Sequence, residues 1–126
     1  LKKTIVQFVV PGPLMGYRQT TKKSIFHPKE RARSKAYGAW KEKVLILSVQ
    51  AGLQNMGKAE KDRPPRLSVK IFWRSDVRID FKNVYGAVED SLWYLPQGDK
   101  HVKPGKFSDV VWDSGKEEAI VIVELP

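Results

Sequence analysis

The segment Leu67-Ser68-Val69-Lys70-Ile71-Phe72-Trp73 and the one that follows it, Asp80-Phe81-Lys82-Asn83-Val84-Tyr85-Gly86-Ala87-Val88-Glu89-Asp90-Ser91-Leu92, decide how this chain folds. In the first, Leu67, Val69, Ile71 and Trp73 alternate with Ser68, Lys70 and Phe72, the period of two expected of a strand. In the second, Val84, Val88 and Leu92 recur at helical spacing, so the periodicity predicts a helix over roughly Phe81 to Leu95 with those residues on its buried side. Pro96, Gln97 and Gly98 end it. Asp80, just before Phe81, is an acceptable N-cap. Ser75 to Asp80 reads as the loop that joins the two elements.

Working outward, Thr4 to Val10 is rich in β-branched residues and stops at Pro11-Gly12-Pro13, which predicts a first strand closed by a rigid turn. A long helix is predicted to begin near Pro28 or Ser34 and to run to about Ala51. Tyr37, Trp40, Val44, Leu47 and Ala51 form its apolar face, and Gly52 is its stop. Gln54 to Arg66 contains Gly57 and Pro64-Pro65 and reads as a surface connection. After a short extended piece from Asp99 to Lys103, the chain is expected to finish in a hairpin. Its arms are Asp109 to Trp112 and Glu118 to Leu125, around Asp113-Ser114-Gly115. The order is therefore roughly β-α-β-α-β-β. That order predicts an α+β fold, a mixed β-sheet with two main helices packed on it.

With 126 residues, 41% hydrophobic and 29% charged, the composition is that of one globular domain over residues 1–126. The absence of cysteine excludes a disulfide scaffold, a thiolate zinc site and a thiol nucleophile. No apolar run approaches the length of a membrane span. Ile5 to Val10 is short and lacks a small-residue cleavage site, so it does not read as a signal peptide. The expected setting is cytoplasmic, with no membrane partner.

The net charge is +9, from 23 Lys and Arg against 14 Asp and Glu. Most of it is concentrated. Between Tyr17 and Lys43 stand Arg18, Lys22, Lys23, Lys29, Arg31, Arg33, Lys35, Lys41 and Lys43, against only Glu30 and Glu42, a local excess of +7. Such a stretch neutralises phosphates and releases counterions, and it points to nucleic acid as partner. Arg18, Lys22, Lys23, Lys29, Arg31, Arg33 and Lys35 are the candidate DNA-binding residues. Tyr37 and Trp40, although interleaved with the charges, lie on the apolar helix face and are expected in the core. His27 and His101 have no partner at metal-ligand spacing and read as surface residues. Neither a glycine-rich phosphate loop nor a Ser-His-Asp arrangement can be made out.

The run from Asp80 to Leu92, continued by Gly98-Asp99-Lys100-His101-Val102, resembles the RusA-type Holliday junction resolvases. That family carries Asp-x-Asp-Asn at a helix start, a Lys three residues after the Asn, an Ala-x-x-Asp-Ala-Leu stretch and an Asp-Asp pair in the loop beyond. Asp80 and Asn83 match the first motif, Asp90 with Ser91 and Leu92 the second, and Asp99 the second Asp of the pair. The opening strand, proline turn, basic loop and Tyr-bearing helix agree in outline. Three positions depart: Lys82 stands for the second carboxylate, Gly86 for the Lys and Gly98 for the first Asp of the pair.

The resemblance implies a Mg²⁺-dependent endonuclease (Mn²⁺ as a substitute ion) that resolves four-way DNA junctions in recombination and repair. It also implies a homodimer, because a four-way junction needs two symmetric cuts. Asp80, Asp99 and Asp90 would be metal ligands, and with Lys82 they form the implied catalytic set. Clustered carboxylates suit a hard divalent cation. Asp80 and Asp99 are then expected within about 6 Å of each other. Two roles are open for Lys82. It takes over from the missing Lys, while Asp76, Glu89 or Asp90 completes the metal site. Alternatively it pairs with the acids and leaves a protein that binds branched DNA without cutting it. In either role its ammonium is expected to face Asp80, Asp90 or Asp99. An RNA-binding or ribosome-associated basic protein is the reading from a different class, separable by binding preference.

Overall fold

The computed structural model describes residues 4–15, 27–53, 65–75, 79–92 and 103–125. Among these residues seven elements follow one another: β1 (Thr4–Pro11), α1 (Pro28–Gln50), β2 (Arg66–Phe72), α2 (Phe81–Ser91), β3 (Lys103–Pro104), β4 (Asp109–Val111) and β5 (Glu118–Leu125). The strands form one mixed sheet in the order β1-β5-β2-β3, with β4 also paired to β2. The fold is α+β, as the alternation of periods predicts.

Each helix starts and stops for a local reason. Pro28 opens α1 with its φ already helical and no N–H to satisfy. At the other end the N–H of Gly52 donates to the carbonyl of Val49 at 3.0 Å, with φ of 83° at Gly52. A side chain rarely tolerates that conformation. Asp80 caps α2, and Oδ1 accepts the N–H of Asn83 at 3.2 Å. The described part of α2 closes at Leu92; its expected continuation to Leu95 lies outside the described residues.

One face of the sheet carries the core. Phe8 and Val10 of β1, Leu67, Val69 and Ile71 of β2, and Ala119, Val121 and Val123 of β5 are buried under Tyr37, Trp40 and Val44 of α1 and Val84, Ala87 and Val88 of α2, with Leu92 at its end. Fully burying one such aliphatic side chain is worth about 1.5–3 kcal/mol. No helix among the described residues packs on the opposite face; Ile5 and Val9 are exposed there, while Ser68 and Glu124 on the same face are buried. Trp40 is 5% exposed and its Nε1 has no hydrogen-bond partner.

The expected C-terminal hairpin is not formed. β4 pairs with β2 in parallel, Lys70 opposite Asp109 and Phe72 opposite Val111, while β5 lies antiparallel on the other side of β2. The turn at Asp113-Ser114-Gly115 carries the chain across the end of β2. The N–H of Trp73 donates to the carbonyl of Val111 at 2.9 Å, and the N–H of Ser114 to that of Trp73 at 2.9 Å. Asp113 and Gly115 take positive φ, 52° and 77°. Alternation assigns each strand a face but not a neighbour. β2 and β5, the strands with the longest buried runs, take the two central places.

Candidate functional site

The basic helix and the helix of the acidic motif are packed side by side. In the N-terminal half of α1, Lys29, Arg31, Arg33 and Lys35 are all exposed. The guanidinium of Arg33 pairs with Glu30 at 3.3 Å. One turn of helix separates Tyr37 from Lys41, so both project from α1 on the same side, and both reach one atom of α2. Asp90 Oδ2 accepts from the Tyr37 hydroxyl at 2.9 Å and from Lys41 Nζ at 2.9 Å. The Lys41 ammonium also lies 5.2 Å from the centre of the Tyr37 ring. Tyr37 is buried while the side chains of Lys41 and Asp90 are each somewhat over a third exposed. This is a semi-buried polar contact that fixes α2 against α1.

Asp80 is placed differently. It is exposed at the opposite end of α2, with Oδ1 engaged by the Asn83 N–H. Ten residues separate it from Asp90, and at 1.5 Å per residue that is about 15 Å along the axis. Ligand oxygens at roughly 2.0–2.6 Å from one ion lie within about 5 Å of each other. A single ion therefore cannot take ligands from both. On this geometry Asp90 is not a ligand of the ion that Asp80 would hold, and its observed contacts are those with Tyr37 and Lys41.

Lys82 also departs from expectation. It is exposed on the first turn of α2 and makes no ion pair with Asp80 or Asp90. At position N2 it adds a positive charge to the positive end of the helix dipole, a setting that attracts anions rather than holding acids together. Among the described residues no three His, Asp or Glu side chains gather at one point. Asp99, Asp76 and His101 lie outside the described residues, as do Arg18, Lys22 and Lys23. The distance between Asp80 and Asp99 is accordingly not among the described geometry.

By periodicity Tyr37 belongs to the core, and by composition Lys41 belongs to the basic stretch; neither pattern gives a role at Asp90. The one signal was their spacing of four on α1; nothing in the sequence names the helix they reach. Among the described residues no helix is long and apolar enough to cross a membrane. In comparison with known proteins, no family model and no curated sequence matches the chain.

Proposed function

We propose that this protein is a RusA-like, Mg²⁺-dependent endonuclease acting on branched DNA as a homodimer. The observation that supports the reading is the union of the basic helix with the motif-bearing one. Asp80, first residue of the motif, stands exposed at the start of α2, and the basic helix α1 is joined to α2 through Asp90. That arrangement lets Lys29, Arg31, Arg33 and Lys35 hold a phosphate backbone on the element that neighbours the acidic one.

The donor chemistry fits magnesium in kind. Asp80 offers a hard carboxylate oxygen in an exposed position, and the Lys82 ammonium does not pair with it. Asp80 and Asp99 would hold the ion, which when bound supplies an activated water and stabilises charge on the phosphate. The N-cap bond to Asn83 fixes the Asp80 carboxyl at the helix start. Lys82, at the positive end of α2, contributes to binding the phosphate and lowers the local negative charge that attracts a divalent ion, so metal affinity is weak.

The position of Lys82 favours a second reading, in which the same surface binds branched DNA and does not cleave it. One assay separates the two: cleavage of a four-way junction with and without Mg²⁺ by the natural chain, Asp80→Asn and Lys82→Asp. The nuclease reading expects Mg²⁺-dependent cutting that Asp80→Asn abolishes and Lys82→Asp enhances. Tight junction binding with no cutting by any of the three selects the second reading. Preference for single-stranded RNA over branched DNA removes both.

A further inference from the structure

β1 is an edge strand, and its hydrogen-bonding pattern defines what can pair with it. Its partner on one side is β5, with Val10 opposite Ala119 and Val6 opposite Val123. The ladder runs on to Gly12, whose N–H donates to the carbonyl of Glu117 at 2.8 Å. In an antiparallel pair the residues that exchange bonds recur every second position. Val6, Phe8 and Val10 therefore turn their N–H and carbonyl groups to β5, and Ile5, Gln7, Val9 and Pro11 turn theirs to the open edge. Lys43 confirms the alternation, because its Nζ donates to the carbonyl of Pro11 at 2.7 Å from the side away from β5.

Such an edge invites another strand, and soluble proteins usually blunt it with charge, proline or a bulge. From Ile5 to Val10 there is no charged residue and no proline, and the register with β5 runs without interruption. The blunting device sits at one end only, at Pro11, which has no N–H and whose carbonyl Lys43 occupies. Ile5 and Val9 are 54% and 42% exposed, and among the described residues no strand lies beyond β1 on this side. Beside it a groove between α1 and the end of β1 has both apolar and polar walls, Ala39, Ile46 and Leu47 together with Glu42, Lys43 and Gln50, and Ile46 is half exposed.

We propose that β1 pairs antiparallel with β1 of a second copy of this chain, centred on Gln7, so that two five-stranded sheets become one. The edge is self-complementary in this register. Gln7 faces its own copy, and Ile5 of each chain faces Val9 of the other, matching apolar side chain to apolar side chain on the sheet face away from the helices. Three hydrogen-bonded pairs with two bonds each give about six hydrogen bonds. The ladder stops where Pro11 and Lys43 close it. The two-fold axis runs perpendicular to the sheet, which keeps the helices of both copies on the same face. The two basic halves of α1 then share one side of the assembly, as a substrate with two equivalent strands requires. This names the surface of the pairing put forward above, but it stands on the strand edge and not on nuclease activity.

The experiment is sedimentation equilibrium and oxidative cross-linking of the full chain, which contains no cysteine of its own. The natural chain should sediment as a dimer. Gln7→Pro should sediment as a monomer with an unchanged circular dichroism spectrum, because the lost N–H points away from β5 and is unused within one copy. Gln7→Cys alone should oxidise to a covalent dimer, since paired Cα atoms about 5.5 Å apart lie within disulfide reach. Ile5→Cys alone should not, since its copy lies four residues out of register, but Ile5→Cys combined with Val9→Cys should. A monomeric natural chain, a Gln7→Pro protein that remains dimeric, or Ile5→Cys cross-linking as readily as Gln7→Cys would each overturn the proposal. A cross-linked dimer that cuts no junction leaves it standing and removes the nuclease reading; a monomer that cuts does the reverse.

Discussion

Asp90 receives two donors on a single oxygen, and that decides how its substitution is read. Asp90→Ala removes the carboxylate oxygen to which both the Tyr37 hydroxyl and the Lys41 ammonium donate. Losing a semi-buried hydrogen-bond partner costs about 1–3 kcal/mol, so urea denaturation should show a fall of that size. Tyr37→Phe removes one donor instead of the shared acceptor and should cost about 1 kcal/mol. Calorimetry with Mg²⁺ should give the same affinity for Asp90→Ala as for the natural chain; a large loss of metal binding would return Asp90 to the metal site. Lys82 sits at the other extreme. Exposed and unpaired with Asp80 or Asp90, it should be replaceable by Ala with a stability change within about 0.5 kcal/mol, while Lys82→Asp should raise Mg²⁺ affinity in the same calorimeter.

At the scale of the element, the far edge of the sheet is interrupted and stitched. Arg66 and Leu67 pair with Lys103 and Pro104, and the pairing resumes at Lys70 with Asp109. Two residues of β2 thus face the four between β3 and β4. Ser68 and Ser108 span this mismatch. The Phe107 N–H donates to Ser68 Oγ at 3.2 Å, and the Val69 N–H to Ser108 Oγ at 3.1 Å. Gly105 donates its N–H to the Leu67 carbonyl at 2.8 Å, so close that a Cβ there would collide with Ser68 Oγ. Ser68 is fully buried and cannot retreat. Gly105→Ala should therefore lower stability by about 1–3 kcal/mol, the usual cost of overpacking. It should leave β1 and its open edge intact, and thermal unfolding checks both expectations when read alongside sedimentation.

For the whole molecule, the testable quantity is the salt dependence of DNA binding. Lys29, Arg31, Arg33 and Lys35 are exposed on one half of α1. If each meets a phosphate, they contribute roughly 0.9 apiece, or about 3.5 together, to the log–log slope against salt. Replacing all four by Ala should flatten the slope by up to that amount without changing the preference among junctions of different base sequence, because phosphate contacts carry no sequence information. Fluorescence anisotropy across a salt series measures it. An unchanged slope would move the nucleic-acid surface off α1.

The sequence by itself determined the local geometry: which segments are strands or helices, where Pro28, Gly52 and Asp80 begin or end them, and which residues face the core. Those features follow from period, capping chemistry and backbone sterics, all of which act within a few residues of chain. It also concentrated the positive charge ahead of and along α1. The tertiary structure alone decided the neighbours. It set β4 beside β2 instead of β5, because alternation fixes a strand's face and leaves its partner to packing. It joined Asp90 to Tyr37 and Lys41, a contact across 49 and 53 residues that no local pattern encodes. It also set Asp80 and Asp90 apart at the two ends of α2, where the resemblance alone implies one site. The length of a rigid helix, not the spacing of letters, decides which acids can meet.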